Sequence, residues 1–470
     1  MEVFMDDAAA LQISYSFSAA SHADVHSLAS FFGDDQDEFY CDHLRNVESS
    51  SAISASSYSS PPPAEYQWPA VAGDENLRLI HLLMAAAEAL TGGQKGRELA
   101  RVILVRLGEL VVPAASAASG ATSIERLVAH FIGALQGIVD GAGRGQIHRG
   151  FPSDEALQAF QLAQDMLPDD KLGHFTANQS ILEAAAGERR IHVVDYDIKE
   201  GLQWSSLMQA MVSRKDGAPP PSLRITAVSG GRSAGKGRWS SETIQVTGQR
   251  LMEFAESIGQ PLTFGYCRLD RRQMFRPATI RVVKGEALFF NSALLQPEFH
   301  QRTTASVRSF LTGAAELGAR LVTVIKEERA SGSAVIVGEE NEGFVRRFTE
   351  QLQRYSAKME ALEAEFPKQG RAREMVERLI LAPSVRVALS TAYCEREEPE
   401  ESLEWMPAAG FRPVELSFFN LCQARLLLGL FNQGYRVEED APNKITLSWK
   451  SRRLLSASVW SPPAVAPANS

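Results

Sequence analysis

Ile191-His192-Val193-Val194-Asp195-Tyr196-Asp197 is the stretch whose reading decides the fold. Apolar residues run up to an aspartate, and a helix start follows at Gln203-Trp204. This is the pattern of the first strand of a buried parallel sheet, with its functional edge at the carboxyl end. In a nucleotide-binding enzyme a glycine-rich turn would come next. Here the turn is Ile198-Lys199-Glu200-Gly201-Leu202, which holds one glycine. The strand therefore points to a ligand-binding scaffold, while the loop argues against the usual ligand.

Strands and helices alternate downstream of this point. Strands are expected at Leu223–Ser229, Leu262–Cys267, Glu286–Asn291 and Arg320–Lys326, with helices at Trp204–Val212, Thr243–Ile258 and Thr304–Leu317. A helix at 174–186 precedes the first strand, and a long amphipathic helix at Phe344–Glu365 follows the fifth. Such alternation forces parallel pairing in a doubly wound sheet. The end of the chain differs. A strand at Phe411–Ser417 and a helix at Phe418–Phe431 lead into Tyr435–Glu438 and Ile445–Trp449, an antiparallel hairpin at the sheet edge. Five alternating units closed by a late hairpin give the order of a methyltransferase-type Rossmann fold, so the class is α/β.

Upstream of the sheet the rhythm is helical. Leu77–Leu90 is apolar nearly all round. Leu99, Val102, Ile103, Leu107 and Leu110 recur at helical spacing, as do Ile124, Leu127, Val128, Phe131, Ile132 and Leu135. Ser153 before Asp154-Glu155 suits an N-cap, and Pro168 lies just past that helix. Such stripes either pack on one another or form a partner surface. Residues 1–74 are of another kind. Ser50–Ser60 is nearly all serine and alanine, and Pro61-Pro62-Pro63 follows. This composition buries too little surface to offset ordering entropy, so a disordered region is expected. Within it, Phe31-Phe32-Gly33-Asp34-Asp35 and Glu38-Phe39-Tyr40 mix aromatics with acids, a pattern that suits docking through a few anchors as well as a passive tail. The organisation read from these shifts is 1–74 disordered, 75–167 a helical cap, and 168–470 a Rossmann-like core.

Composition narrows the function classes. The chain has 470 residues and a net charge of −9, which disfavours an electrostatic nucleic-acid binder as a whole while leaving room for a local basic face. Cys41, Cys267, Cys394 and Cys422 are far apart, which argues against a structural zinc site or a disulfide framework and for a reducing compartment. No apolar run is long enough to span a membrane, and Asp6-Asp7 near the start is unlike a secretory signal.

The motifs that would carry chemistry are incomplete. A methyl-donor site needs a glycine-rich first loop and an acid at the end of the second strand. Here the loop is bulky, and the second strand ends at Ser229-Gly230-Gly231. Asp195 and Asp197 are placed either to bind a ligand or to hydrogen-bond loop amides and cap the next helix. Gly230, Gly235 and Lys236 match G-x-x-x-x-G-K, but Gly237 stands where a phosphate-binding loop needs a hydroxyl, so a basic surface loop is expected. His192 lies inside the strand and reads as a structural histidine. No nucleophile elbow or metal-ligand spacing is present.

These blocks, in their order and spacing, resemble the GRAS family of plant transcriptional regulators over about 75–460. That family has two leucine-rich regions flanking a Val-His-Ile-Ile-Asp motif. Ile191–Asp195 is a conservative variant, and the leucine-rich regions match 77–140 and 243–285. The block 344–366, with Phe344, Phe348, Tyr355 and Ser356, resembles the family's middle block, and Arg373-Glu374 its closing pair. The terminal block passes Ala409-Gly410-Phe411 and Leu447-Ser448-Trp449-Lys450, and closes at Ser458-Val459-Trp460, where the family usually has Ser-Ala-Trp. Gly173–Gln179 leading into Val194–Asp197 is similar to the family's branch of symbiotic signalling regulators.

The resemblance implies a nuclear, non-enzymatic transcription regulator acting in root nodulation or arbuscular mycorrhiza and affecting strigolactone synthesis. It implies pairing with another GRAS protein, or with a second copy, through the first leucine-rich region, with promoter DNA reached through the partner. No cofactor and no metal is expected. Leu99, Val102, Ile103, Leu127 and Phe131 are the expected partner surface. His192, Asp195, Asp197, Gln203, Trp204, Arg373, Glu374, Trp449 and Trp460 are expected to serve the structure. The alternative is a methyltransferase-like enzyme, or a small-molecule sensor, with an atypical cofactor loop.

Overall fold

The computed structural model describes residues 74–111, 122–141, 154–196, 198–214, 219–229, 241–294, 304–328, 340–365, 370–394 and 405–463. The chain divides into two compact units, residues 1–77 and 78–470. Of the first, only 74–77 are described, as the opening of a helix. The Ser/Pro-rich region, Cys41, Ser153, Asp197 and the Gly230–Gly237 loop lie outside the described residues.

Helices come first along the described chain. They are α1 (Asp74–Ala89), α2 (Gly93–Leu110), α3 (Ser123–Val139) and α4 (Asp154–Met166). Each forms where apolar residues return every three or four positions. Thr122 starts α3 with a capping box: its hydroxyl accepts from Glu125 N, and the Glu125 carboxylate accepts from Thr122 N. Leu127, Val128, Phe131, Ile132 and Leu135 then form its buried face. Pro168 follows α4, as expected, but it also opens α5 (Pro168–Ala184) at the first helical position. There its missing N–H costs nothing, so this helix starts six residues earlier than the apolar pattern indicates.

The sheet then builds up from β1 (Arg190–Asp195), α6 (Leu202–Val212), β2 (Ser222–Ser229), α7 (Ser241–Ile258), β3 (Leu262–Arg268), β4 (Ala287–Leu294), α8 (Thr304–Glu316) and β5 (Leu321–Glu327). Strands β3, β2, β1, β4 and β5 lie in that order, all parallel. Both faces are covered. Ile191, Val193, Leu223, Ile225 and Phe289 pack with α5, α6 and α7, whereas Val194, Tyr196, Val228, Leu288 and Phe290 pack with α8. Two-sided burial is why these strands read as continuous apolar runs.

The C-terminal part departs from expectation. After α9 (Glu340–Glu365), residues 370–394 carry helices that the sequence did not announce: α10 (Gly370–Val376), a π-helical turn at Glu377–Leu381, and α11 (Ala382–Cys394). A short α12 (Trp405–Ala408) follows. The strand expected at Phe411–Ser417 shrinks to β6 (Arg412–Pro413), which pairs with the last strand, Arg452–Ser461; beyond it Val414 N still bonds to Val459 O, but Leu416 N turns to Pro442 O. Then come α13 (Phe418–Leu428), β7 (Tyr435–Ala441), β8 (Lys444–Trp449) and β9 (Arg452–Ser461). The β7–β8 hairpin is antiparallel and lies outermost, as expected. Strand β9 was not expected. It lies between β5 and β8, antiparallel to both. Ser456 and Ser458 interrupt its apolar pattern, yet both are buried there.

The helical layer draws on two distant segments. Helix α3 packs against α2, α9 and α11, and α4 packs against α10 and the π-helical turn. Phe131 meets Phe348 edge to face at 5.6 Å between ring centroids, and Tyr355 at 6.3 Å. A second tie is ionic. Arg126 on α3 pairs with buried Glu377 at 3.1 Å, and Arg373 reaches the same carboxylate at 3.5 Å.

Candidate functional site

The carboxyl ends of β1, β4 and β5 are the natural ligand edge of this sheet. The residues there bond to one another. Asp195, at the end of β1, is 1% exposed. Trp204 Nε1 donates to its Oδ2 at 2.7 Å, and Asn291 Nδ2 donates to its Oδ1 at 3.0 Å. Asn291 also donates to Gln203 Oε1 at 3.1 Å, and its own Oδ1 accepts from Thr323 at 2.7 Å and from Gln203 Nε2 at 3.3 Å. Asn178 on α5 donates to the Gln203 carbonyl at 2.8 Å. Strands β1, β4 and β5 and helices α5 and α6 are thus joined by one buried polar network, in which each amide both donates and accepts.

The loop after β1 closes over this network. Gly201 sits at φ +80° and precedes α6. A β-carbon there would lie 2.9 Å from Leu251 Cδ1, so only glycine fits. Lys199, at φ +48°, is itself buried, and Thr247 donates to its carbonyl at 3.1 Å. Asp170 lies within reach of the Lys199 charge. Burial alone would raise its carboxyl, but the Lys199 charge and a hydrogen bond from Gln164, with further help from Lys358, outweigh burial and hold it below the usual range. Between this loop and Phe160, Gln164 and His174 there is room for about 10 Å³, about one water. A neighbouring cavity of about 60 Å³ lies between the Asp169, Glu327 and Lys358 side chains and the π-helical turn. Small-molecule sites are typically about 300–1,000 Å³. The described residues at this edge do not fit a nucleoside methyl donor: the carboxylate at the end of β1 is already bonded, and the described part of the loop is filled by side chains.

The remaining motif residues lie elsewhere. His192 is buried on the opposite face of β1, hydrogen-bonded to Thr226 at 2.9 Å. Burial, reinforced by the Arg224 charge, lowers its pKa to about 4. It is a neutral group inside the fold, 3.6 Å from Glu286. Trp449 is buried and donates to Glu360 at 3.2 Å. Trp460, on β9, donates to Ser458 Oγ at 3.0 Å. Arg373 joins the ion-pair tie of the helical layer, while Glu374 is exposed. Asp197 lies outside the described residues. Asn291, Asn178 and Thr323 were not singled out from the sequence. The signal for Asn291 was available: a single amide closing the apolar run Leu288-Phe289-Phe290.

The expected partner surface divides in two. Leu99 is 55% exposed and Val102 66%, with Ile103 partly buried beside them. Val105 and Leu110 are also exposed on α2, while Ala100, Leu104 and Leu107 form its buried face. Leu127 and Phe131, however, are 3% and 0% exposed. They do not belong to any surface, because α9 and α11 cover that face of α3. Among the described residues no group of His, Cys, Asp and Glu converges to hold a metal ion, and no helix is long and apolar enough to cross a membrane.

The GRAS domain family matches residues 79–461. Protein NODULATION SIGNALING PATHWAY 2 of Lotus japonicus is 52% identical over 401 residues, which span 82% of this chain and 76% of that protein. Scarecrow-like protein 26 of Arabidopsis thaliana is 45% identical over 393 residues, 82% of this chain and 78% of that one. Among solved structures, that of SCL7 in Oryza sativa matches with a TM-score of 0.61 and 28% identity, covering 81% of this chain and 99% of that one. The likeness read from Gly173–Gln179 and Val194–Asp197 leads to the same branch as the first of these relatives. With the sheet order, the helical layer and the blocks at 191–195 and 344–460 all in place, the chain belongs to the GRAS family.

Proposed function

We propose that this protein is a nuclear transcription regulator of symbiotic signalling that works by pairing with another GRAS protein on target promoters. The names of its relatives support the nodulation role; action in mycorrhiza and on strigolactone synthesis belongs to the same reading. The observation that carries the pairing is the exposed apolar stripe of α2: Leu99, Val102, Val105 and Leu110, with Ile103 at its margin. A helix with a second apolar face, remote from the one it buries, suits helix-in-groove docking, where a few anchors dominate affinity. Promoter DNA is reached through the partner. A second copy of the chain is a further possible occupant of the same stripe.

The test is the double variant Leu99→Glu/Val102→Glu in the full chain, co-expressed with a GRAS partner. Loss of co-purification with an unchanged unfolding midpoint is expected. Full retention of the partner would refute the α2 assignment. Against the methyltransferase alternative stand the engaged Asp195 carboxylate and the lack of room beside the loop at 198–203. Calorimetric titration with S-adenosylmethionine is expected to give no saturable heat. Saturable binding abolished by Asp195→Ala would restore the enzyme reading.

A further inference from the structure

The connection from β3 to β4 is not a long helix but an ordered strap, residues 269–286, with a single 3₁₀ turn at Pro277–Thr279. It runs back along β2. Leu269 N bonds to Ser229 O at one end, and Arg224 Nη1 donates to Arg281 O near the other. The strap is anchored from inside. Leu269, Phe275 and Ile280 are buried against α8 and the sheet. Asp270 fixes the first turn by accepting from Arg272 N at 2.8 Å, Met274 N at 2.9 Å and Arg276 Nε at 2.8 Å. Glu286 fixes the last turn by accepting from Val283 N at 3.1 Å and pairing with Arg224 at 2.6 Å.

With the apolar side chains turned in, the outer side is basic. Arg271 and Arg272 sit at the tip of the first turn, and Arg281 and Lys284 at the last. All four are exposed, and among the described residues none has a carboxylate partner. Both acids of the strap, Asp270 and Glu286, are spent on internal bonds. A chain with a net charge of −9 thus mounts four uncompensated cations on a rigid segment. Five strand steps separate the Ser229 and Arg224 contacts, about 17 Å at roughly 3.3 Å per residue.

We infer that this strap contacts the phosphate backbone of duplex DNA without reading its sequence. A duplex carries one charge per about 1.7 Å of axis counting both strands, or about 3.4 Å along one, so a stretch of about 17 Å holds about five phosphates on the strand nearest the strap, enough to meet its four cations. Three of the four cations are arginines, whose planar donors suit phosphate oxygens. An acidic protein partner fits less well. Docking proteins need buried apolar anchors, and Val282 is the exposed large aliphatic residue the strap offers. This inference rests on the promoter-associated reading above and adds to it a contact made by this chain itself.

The test uses the full chain and a labelled 30-base-pair duplex of arbitrary sequence, read by fluorescence anisotropy between about 50 and 200 mM salt. Three variants of equal charge change are compared: Arg271→Glu/Arg272→Glu, Arg281→Glu/Lys284→Glu, and the control Arg371→Glu/Arg412→Glu on other exposed surfaces. Neutralising about four phosphates gives a log–log salt slope near −3.6, and each strap pair should lose about tenfold in affinity and flatten the slope by nearly 2. The control should stay within about threefold of the parent chain. Equal losses in all three variants would overturn the proposal, since net charge alone would then explain binding. So would displacement of the duplex by polyglutamate at equal charge, which would assign the strap to an acidic polypeptide. Co-purification with the GRAS partner, measured on the same variants, keeps the two readings separate. Strap variants should retain the partner, and the α2 double variant should retain duplex binding.

Discussion

Asn291 is the residue on which the ligand edge turns. It touches Asp195, Gln203 and Thr323 at once and has no exposure. Asn291→Ala removes a donor from a buried carboxylate and leaves two other polar groups short of a partner. A loss of about 2–4 kcal/mol in urea unfolding is expected. A loss under about 0.5 kcal/mol would mean that the network adds nothing to stability.

Buried imidazoles set the pH response at the same scale. Burial lowers His130, His174 and His192 to about 4, against 6.5 for an unperturbed histidine. The unfolded chain therefore takes up protons first as pH falls below 6.5, and stability declines between 6.5 and 4. Asp169 acts in the other direction. Burial raises its carboxyl to about 6, so its proton is held more tightly in the fold, and it returns part of the loss as pH falls through 6. Burial raises the carboxyls of Asp165, Glu365 and Glu377 too, and they act with Asp169; the three imidazoles, whose shifts span the whole interval, are expected to outweigh them, so the urea midpoint should be lower at pH 5 than at pH 7.5. His192→Gln should narrow that difference, and an unchanged difference would show that His192 is solvated.

Helix α2 shows how one element carries two purposes. Leu104 and Leu107 are buried, while Leu99 on the same helix is exposed. Leu104→Ala or Leu107→Ala should cost about 2–5 kcal/mol, and Leu99→Ala within about 0.5 kcal/mol, when the isolated chain is melted. Equal costs would place Leu99 in a contact the fold supplies. Periodicity gave the helix but not its orientation. The spacing of α2 and α3 is alike, and what separates exposed Val102 from buried Phe131 is the arrival of Phe348 and Tyr355 from far along the chain. Strand β9 was missed for a related reason. Its serines read as surface, and only its place between β5 and β8 makes them interior. The parallel strands were legible because burial on both faces writes itself into a single apolar run.

At the scale of the whole molecule, the polar network and the helical layer explain why a sheet of this order need not be an enzyme's. The sequence showed what the cofactor loop lacks. It did not show what fills the space, because Asn178, Gln203, Asn291 and Thr323 come from four separate elements. The ties between α3, α9 and the π-helical turn make the layer a joint product of residues 123–139 and 344–394. Arg126→Ala leaves Glu377, a buried carboxylate whose pKa burial already raises, without its nearest cation. A cost of about 3–5 kcal/mol is expected from chemical unfolding. A cost below about 1 kcal/mol would show that Arg373 alone suffices.

That joint construction has a consequence during synthesis. Phe131 leaves the ribosome roughly 200 residues before Phe348 and Tyr355, an interval of about 10–40 s at about 5–20 residues per second. Throughout it, the part of the apolar face of α3 that α9 and α11 will bury has no cover. The nascent chain therefore presents, for tens of seconds, a sticky helix that the finished protein hides completely. Chaperone demand should peak while the sheet is being made, and the last helices should act as the step that releases the chain.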